Sequence, residues 1–233
     1  MAIVMLFLGR IGIVTGGGMG MYPLFANGAK VYITGQCSVR RLQMDVTDEE
    51  DVKAGAKHIE DTEGKLDILV NKFVYGAHDP LLPLQLGRHW ADLFTLDLIA
   101  LFFVIRALQS LLVEGASSCP QGTSSVIDMS SVAAKLNPSS PRVAYNLTKA
   151  ALDKLTHVLA TSFGERGIPI RVNALQPGPF ASDILPPGQV PMIPARRHGS
   201  DAEMGMTAFY LVVSDYTNGA VLSVDGGLSL VNP

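Results

Sequence analysis

Tyr145 and Lys149 place a phenol and an ammonium group within reach of each other, because residues four apart lie on one face of a helix. A free phenol titrates near ~10, and a neighbouring cation favours its ionised form. The pair can therefore exchange a proton at neutral pH. Ser130 and Ser131 stand at the end of the fifth predicted strand, and Ser131 lies fourteen positions upstream of Tyr145. A hydroxyl group there could hold a substrate carbonyl while Tyr145 protonates the carbonyl oxygen. The alternative is an ordinary surface tyrosine beside a solvated lysine.

A second candidate site is the run TGGGMG, from Thr15 to Gly20, which follows an apolar strand and opens a helix. N–H groups at a helix start can bind a pyrophosphate, and Gly16 and Gly20 allow the ligand a close approach. Tight turns also need glycine, so a turn that binds no ligand is the alternative interpretation of this run. No acid ends the second predicted strand, where a carboxylate would bind a ribose hydroxyl. Arg40 and Arg41 favour a 2′-phosphate instead, so NADP is preferred and NAD stays open.

These candidates are positioned by short β-branched runs that alternate with helical segments, the pattern of a parallel α/β sheet. Helical spacing predicts helices over residues 48–63, 88–113 and 143–166, and Asp48 opens the first of them with an acidic turn. One domain spanning residues 1–233 accounts for the chain, which is long enough to bury a sizeable core. The predicted strands are Ile11–Thr15, Lys30–Thr34, Leu42–Asp45, Leu66–Val70, Ser125–Met129, Ile170–Ala174 and Val221–Val224.

The connection between the second and third predicted strands contains seven residues, from Gly35 to Arg41. A parallel crossover needs about a dozen residues or more, usually with a helix. Either the third strand does not pair in parallel beside the second, or one of the two strands is misassigned. Residues 177–199 are rich in proline and glycine, which predicts an irregular flap over one face of the sheet.

The composition excludes several classes of protein. Charged residues make up 17% and hydrophobic residues 48% of the chain, which excludes a disordered protein, and a net charge of −3 without basic runs excludes a nucleic-acid-binding surface. Two cysteines are too few for a disulfide scaffold, and five histidines show no metal-ligand spacing. The apolar start lacks a basic region, and the apolar stretch 96–113 carries Asp97 and Arg106, which favours a helix buried on nearly all sides. We therefore expect a cytoplasmic location and no membrane or nucleic-acid partner.

Seven short motifs follow one another in a fixed order along the chain. They are TGGGMG at 15–20, DVT at 45–47, DILVN at 67–71, SS at 130–131, YNLTK at 145–149, PG at 177–178 and VDGG at 224–227. Together they resemble the classical short-chain dehydrogenase/reductase family, and most of all its fungal-type members. The resemblance covers nearly the whole chain and implies a single Rossmann-like, doubly wound parallel sheet.

The resemblance also implies an activity. Members of this family interconvert a carbonyl and an alcohol by hydride transfer with NADP or NAD, so the implied substrate is a small-molecule carbonyl or alcohol. They are commonly homodimers or homotetramers, which implies an assembly built through the helices at 88–113 and 143–166.

Particular residues receive roles from this resemblance. Tyr145 is the implied general acid/base, Lys149 promotes its ionisation and binds the nicotinamide ribose, and Ser131 orients the carbonyl. Within the implied cofactor site, the residues of the glycine run contact the pyrophosphate, the pair at 45–46 borders the adenine, and the residues after 177 meet the nicotinamide. The implied cofactor-binding residues are Gly16, Gly20, Met21, Asp45, Val46, Asn71, Arg106, Tyr145, Lys149, Pro177, Gly178, Phe180 and Ser182.

Several features depart from the family pattern. Tyr22 stands where the last loop glycine is expected. The segment 71–74 reads NKFV where the family has Asn-Asn-Ala-Gly, so small residues beneath the cofactor are replaced by bulky ones. Asp97 stands at the position of an asparagine that supports the proton relay, so its charge would stabilise Lys149 and offset the effect of that lysine on the tyrosine. The segment after Gly35 lacks an expected helix. These departures leave an alternative function open, a cofactor-impaired homologue that acts as a partner subunit or pseudo-enzyme.

Overall fold

The computed structural model describes residues 9–16, 28–34, 41–72, 88–120, 122–136, 143–180 and 193–231. The strands in these ranges are β1 Ile11–Val14, β2 Lys30–Thr34, β3 Arg41–Leu42, β4 Ile68–Asn71, β5 Ser124–Met129, β6 Ile170–Pro177 and β7 Val221–Val224. They form one sheet in the order β3-β2-β1-β4-β5-β6-β7, and every neighbouring pair is parallel. The strand order changes direction between β1 and β4, the topology of a Rossmann-like sheet. The predicted fold class is confirmed.

The third strand corrects the expectation drawn from the short connection. β3 pairs in parallel with β2, with Arg41 opposite Ile33 and Leu42 opposite Thr34. Only the last two residues of β2 take part, so the chain enters β3 beside the carboxyl end of β2 and does not return to its amino end. Six intervening residues are enough for that step, because the longer requirement applies to a crossover along a full strand. β3 contains the two residues Arg41 and Leu42, whereas the sequence predicted the four residues Leu42–Asp45.

The helices of the described residues include the three segments predicted from helical spacing. All the α-helices of the described residues are α1 Glu49–Glu63, α2 Arg88–Phe94, α3 Ala100–Ala107, α4 Gln109–Ser118, α5 Val143–Glu165, α6 Asp201–Val213 and α7 Leu228–Val231. A π-helical turn, Thr95–Ile99, joins α2 to α3, and a 3₁₀ helix, Val132–Ala134, follows β5. α1 begins as predicted, because the Asp48 side chain accepts hydrogen bonds from the N–H groups of Glu50 and Asp51.

The predicted helix over residues 88–113 is divided. The N–H of Ala100 donates to the Thr95 carbonyl, five residues back, which makes the π-helical turn. A second break at Leu108 separates α3 from α4. The expectation of burial on nearly all sides is wrong, since the side chains of Ile99 and Phe103 are 46% and 55% exposed. This helical segment presents an apolar face to the outside of the single chain.

The break at Leu108 also limits the length of the helices. No single helix in the described residues is long and apolar enough to span a membrane. Trp90–Ala107 and Gln109–Ser118 meet the length and composition requirement only as a pair, with a bend of 58° between them.

A hydrophobic core lies on each face of the sheet. Ile13 and Val126 point to the first core, which α1, α3, α4 and α5 cover. Val14 and Ile127 point to the second core, which α6 covers. Successive strand residues face opposite sides of a sheet, so neighbouring apolar residues, Ile13 and Val14 in β1 and Val126 and Ile127 in β5, supply both cores.

Gly115 allows α4 to lie directly against the amino end of β4. The N–H of Leu66 donates to the Leu111 carbonyl over 2.8 Å, so the entry to the strand is hydrogen-bonded to the helix. One turn later, a Cβ atom on Gly115 would lie 2.0 Å from the Leu66 carbonyl oxygen. A side chain larger than hydrogen therefore has no room at this position.

We expect Gly115→Ala to lower the free energy of unfolding by about 3 kcal/mol, because backbone must move to accept the methyl group. Chemical denaturation measures the change. Gly164→Ala is the matched control, since a Cβ atom there meets nothing within 4 Å, and helix propensity predicts a gain of about 0.5–1 kcal/mol. Equal effects of the two substitutions would contradict the close contact.

Candidate active site

The carboxyl ends of β1, β2 and β4 are tied together by Thr15 and Gly16. The N–H and the hydroxyl group of Thr15 both donate to the Val70 carbonyl, and the Thr15 hydroxyl accepts the N–H of Lys72 over 3.1 Å. The N–H of Gly16 donates to the Thr34 hydroxyl over 3.0 Å, with a backbone φ of +71° that suits glycine. The first part of the predicted glycine turn therefore stands at the edge of the sheet where the strand order changes.

Asn71 ends β4 at this same edge. Its side chain is fully buried and donates from Nδ2 to Asp128 Oδ1 over 2.9 Å. Its Oδ1 atom has no hydrogen-bond partner within the described residues. A buried amide oxygen without a partner is costly, and a ligand hydroxyl or amide can satisfy it. This oxygen and the bare Gly16 turn fit the nicotinamide dinucleotide that the resemblance implies.

Lys149 and Tyr145 lie on the first turns of α5, as predicted. The Lys149 side chain is 1% exposed, and its Nζ atom lies 5.6 Å from the centroid of the Tyr145 ring. The ammonium group donates to the Met129 carbonyl at the end of β5 over 3.2 Å and to Asp97 Oδ1 over 3.3 Å. The Thr148 hydroxyl donates to the other Asp97 oxygen over 3.0 Å. The lysine predicted from the motif is therefore buried and paired with a carboxylate.

Ser131 follows β5 and caps the 3₁₀ helix against which α5 packs. Its hydroxyl accepts the N–H of Ala133 over 3.2 Å, and the residue is half-buried. The neighbouring Ser130 is buried and donates to the Lys149 carbonyl over 3.3 Å. Of the two serines, Ser131 is the more accessible, in agreement with the role that the resemblance assigns to it.

Pro177, Gly178 and Phe180 stand at the carboxyl end of β6. The N–H of Gly178 donates to the Val224 carbonyl, and a Cβ atom on Gly178 would lie 2.5 Å from the Cα atom of Asp225. Phe180 forms a single parallel bridge with Gly199 and lines a cleft together with Ile193 and Asp225. These residues stand at the end of the same sheet edge as β5 and Ser131.

Three other predicted cofactor residues lie on further elements of the fold. Asp45 is exposed just before α1 and accepts the N–H and the hydroxyl of Thr47, which lower the pKa of its carboxyl group, while Val46 is buried in the first core. Arg106 is exposed in the last turn of α3 and donates to Gln109. Nine residues of helix separate Arg106 from Asp97, about 13 Å along the axis, so the structure does not bring it to the carboxyl edge.

Some predicted positions lie outside the described residues. Among the residues expected to bind the cofactor, these are Gly20, Met21 and Ser182. Among the departures from the family pattern, they are Tyr22, Phe73 and Val74. Within the described part of the chain, no group of three or more His, Cys, Asp or Glu side chains is arranged to hold a metal ion.

Asp128 was not singled out from the sequence, although it lies at the centre of the buried polar network. It accepts hydrogen bonds from Asn71 Nδ2 and from the Thr156 hydroxyl, and it joins β4, β5 and α5. Burial raises the pKa of its carboxyl group to about 6, while those two hydrogen bonds and the charge of Lys149 act in the opposite direction. The sequence signal that could have identified Asp128 is its place between two apolar residues of a predicted strand, because an acidic side chain is seldom buried without partners.

This buried carboxyl group makes stability depend on pH. An acid whose pKa is raised by folding favours the folded state below its ordinary value of 3.8, and that contribution is lost as the pH rises to about 6. We expect Asp128→Asn to remove this loss of stability at higher pH, because the amide of the variant is neutral and can donate to the Thr156 hydroxyl. The variant should gain about 2–3 kcal/mol relative to the original protein between pH 4 and pH 7.

Urea denaturation at both pH values measures this difference. Asp92→Asn is the control, because Asp92 is exposed on α2. A stability difference between Asp128→Asn and the original protein that stays constant over this range would contradict the raised pKa.

Comparison with known proteins identifies relatives of the chain. The family model described as Enoyl-(Acyl carrier protein) reductase matches residues 26–229. Gluconate 5-dehydrogenase of Gluconobacter oxydans is 31% identical over 198 residues, which cover 80% of this chain and 73% of that protein. The 3-oxoacyl-(acyl-carrier-protein) reductase FabG of Staphylococcus aureus is 29% identical over 197 residues, which cover 80% and 76%.

A solved structure has a similar fold. The structure described as the RhlG/NADP active-site complex of Pseudomonas aeruginosa superimposes with a TM-score of 0.84 at 27% identity, covering 98% of this chain and 100% of that one. All three of these relatives come from bacteria, so they do not support the fungal-type assignment expected from the sequence.

Proposed function

Because the chain belongs to the short-chain dehydrogenase/reductase family, we propose that it is an NAD(P)-dependent oxidoreductase that interconverts a carbonyl and an alcohol on a small molecule. The observation that carries this proposal is the Lys149 ammonium, which is buried next to the Tyr145 ring and bonded to Met129, two residues before Ser131. On this proposal the whole chain, residues 1–233, is one NAD(P)-binding domain that acts in the cytoplasm.

The proposed chemistry assigns one task to each of the three side chains. Tyr145 donates its phenolic proton to the carbonyl oxygen during reduction and removes a proton from the alcohol during oxidation. The Ser131 hydroxyl donates a hydrogen bond to the same substrate oxygen and holds it near the phenol. The Lys149 ammonium acts on the phenol through space and favours its ionised form.

The cofactor, when bound, supplies or accepts the hydride. From the described residues, Gly16 and Asn71 would hold it at β1 and β4, and the segment from Pro177 to Phe180 would face its nicotinamide end. Gly20, Met21 and Ser182 complete the set proposed from the sequence, with Asp45 and Val46 near the adenine. Arg106 is left out of this set, because it lies in the last turn of α3, away from the carboxyl edge. NADP is the proposed cofactor because Arg40 and Arg41 follow β2, and the similar RhlG structure is described as an NADP complex.

We also propose a homodimer or homotetramer. Apolar side chains are exposed on both helical segments expected to form its interface: Ile99 and Phe103 on the first, Leu147 and Val158 on α5. Exposed apolar residues that lie close together on a monomer commonly mark an interaction surface. Burying them against a second copy would remove them from water.

An inactive partner subunit is the second candidate function, and Lys72 is the observation that favours it. The residue stands just after the carboxyl end of β4, at an asparagine position of the family pattern and directly before the two small residues expected beneath the cofactor. The side chain is half-buried, and this burial lowers the pKa of its ammonium group, while the charge of Asp201 acts in the opposite direction. A bulky side chain in this place would compete with a bound dinucleotide.

Tyr145→Phe should abolish turnover of a ketone or alcohol substrate, because the variant lacks the proton that the phenol transfers. Cofactor affinity should stay nearly the same, since only one oxygen atom is removed. The measurements are steady-state kinetics over a panel of small carbonyl compounds and calorimetric titration with NADPH. Tyr216→Phe is the matched control, because the Tyr216 side chain is fully exposed. Turnover that survives in Tyr145→Phe would refute the assigned role.

Titration of the purified protein with NADPH and then NADH tests the cofactor proposal. We expect tighter binding of NADPH, and Arg40→Ala combined with Arg41→Ala should weaken it about tenfold by removing charged contacts to the 2′-phosphate. Binding of NADH should not change in this double variant. Arg166→Ala provides a control at the exposed end of α5. No binding of either nucleotide at millimolar concentration would instead support the inactive partner subunit.

A further inference from the structure

Four side chains form a line of hydrogen bonds near the carboxyl ends of β6 and β7, on the face of the sheet that α5 covers. The Lys135 ammonium group donates to the Ser223 hydroxyl over 3.0 Å. The Ser223 hydroxyl donates to Gln176 Oε1 over 2.9 Å, and Gln176 Nε2 donates to Asp153 Oδ2 over 2.6 Å. This line, which we call the Gln176 chain, joins β7, β6 and α5 to the segment after the 3₁₀ helix.

The Gln176 amide has one orientation that satisfies both of its neighbours. Its side chain is fully buried, and it stands directly opposite Ser223 in the register of β6 and β7. A carboxylate only accepts hydrogen bonds, so the NH₂ group of the amide must face Asp153 and its oxygen must face the hydroxyl. Loss of either contact would leave a buried polar group unsatisfied, which is costly. The amide therefore ties β6 to α5.

Opposite charges stand at the two ends of the Gln176 chain. The Lys135 side chain is exposed at one end, just after the 3₁₀ helix that Ser131 caps, and the half-buried Asp153 carboxyl group is at the other. Burial raises the pKa of that carboxyl group, while the hydrogen bond from Gln176 and the charge of Lys135 act in the opposite direction. Every hydrogen bond points from the cation toward the anion, so the hydroxyl and amide dipoles are aligned and strengthen one another.

The Gln176 chain lies between two parts of the candidate site. Gln176 directly precedes the 177–178 turn, which faces the nicotinamide end of the cofactor in the proposed function. Asp153 lies about two turns beyond Tyr145 on α5. The hydrogen bond between the Gln176 amide and the Asp153 carboxylate therefore links this turn to the helix that carries the phenol.

We propose that Gln176 is a positioning residue that fixes the 177–178 turn relative to Tyr145, so that a nicotinamide ring and a substrate carbonyl meet at the distance that hydride transfer needs. A displacement of about 1 Å from such a geometry can lower a reaction rate about a hundredfold. The inference rests on the proposed function for the cofactor and the carbonyl. The tie between β6 and α5 can be measured in the protein without cofactor.

Hydrogen exchange of the Gly178 N–H tests this tie. The N–H donates to the Val224 carbonyl over 2.9 Å, so its exchange reports opening of the turn. Gln176→Met keeps the length of the side chain but neither polar group. We expect it to speed the exchange of Gly178 about tenfold relative to the amides of β5, the effect of losing one hydrogen bond to a charged group. An unchanged ratio would overturn the inference.

Asn173→Leu is the matched control for this measurement. It removes a buried amide from the same strand, three residues earlier, where the amide is bonded to the segment before β7. Its loss should lower stability without opening the 177–178 turn selectively. The exchange of Gly178 relative to the amides of β5 should therefore stay unchanged, and a tenfold rise here as well would overturn the inference.

A reciprocal replacement separates the hydrogen bond from general damage to the fold. At about pH 8, Gln176→Glu places a second carboxylate against Asp153 and should speed the Gly178 exchange, because the two like charges repel. Asp153→Asn added to Gln176→Glu restores a donor and an acceptor with their places exchanged. We expect this double variant to return the exchange to within about twofold of the original protein. A double variant that exchanges as fast as Gln176→Glu would overturn the inference.

Ser223→Val keeps the test decisive if variants of the buried Gln176 fold poorly. The Ser223 side chain is exposed on a strand, so valine is accommodated, but Gln176 Oε1 loses its donor and is shielded from water that could replace it. We expect the Gly178 exchange to rise about threefold relative to the amides of β5. No rise would overturn the inference.

Turnover separates this inference from the proposed function. In an active protein, Gln176→Met should lower the single-turnover rate of NADPH oxidation about tenfold at full amplitude, with NADPH affinity within about threefold of the original by calorimetry. A partly unfolded protein would lose amplitude instead. Faster Gly178 exchange in a protein that binds neither NADPH nor NADH would support the tie and refute the proposed function. Turnover with an unmoved rate and unmoved exchange would overturn the inference and leave the proposed function in place.

Discussion

The burial of the Lys149 ammonium is the interaction on which the candidate site depends. A cation that is 1% exposed is stable only with partners that replace its water, and the chain provides the Asp97 carboxylate and the Met129 carbonyl. These partners belong to a π-helical turn and to the end of β5, so one buried group joins three elements. The position of Tyr145 follows, because it lies one turn before Lys149 on the same helix.

A second constraint is the parallel sheet. Its strands supply apolar side chains to both cores, and polar side chains near the carboxyl ends of β1, β4 and β5 form hydrogen bonds between the strands at one edge. Asp128 shows what this meeting requires: it lies within β5, is fully buried, and accepts hydrogen bonds from Asn71 on the neighbouring strand and from Thr156 on α5. The raised pKa of Asp128 is the consequence of placing an acid so deep.

Sequence patterns predicted the individual strands, α1, α5 and the facing of Tyr145 and Lys149, because each depends on residues a few positions apart. The break of the predicted helix at 88–113 was missed, since helical spacing does not distinguish an α turn from a π turn. The parallel pairing of β3 was also missed. A minimum crossover length assumes that the whole strand is paired, and here only Ile33 and Thr34 of β2 take part.

The sequence by itself determined the alternation of strands and helices, the glycine turn after β1, and the order of motifs that marks the family. The tertiary structure alone decided that Asp97 is paired with Lys149, that Asp128 is buried among polar partners, and that Arg106 is exposed away from the carboxyl edge. The physical reason is distance along the chain. Periodicity records what neighbours within a turn or a strand must do, whereas burial and charge pairing join residues more than fifty positions apart.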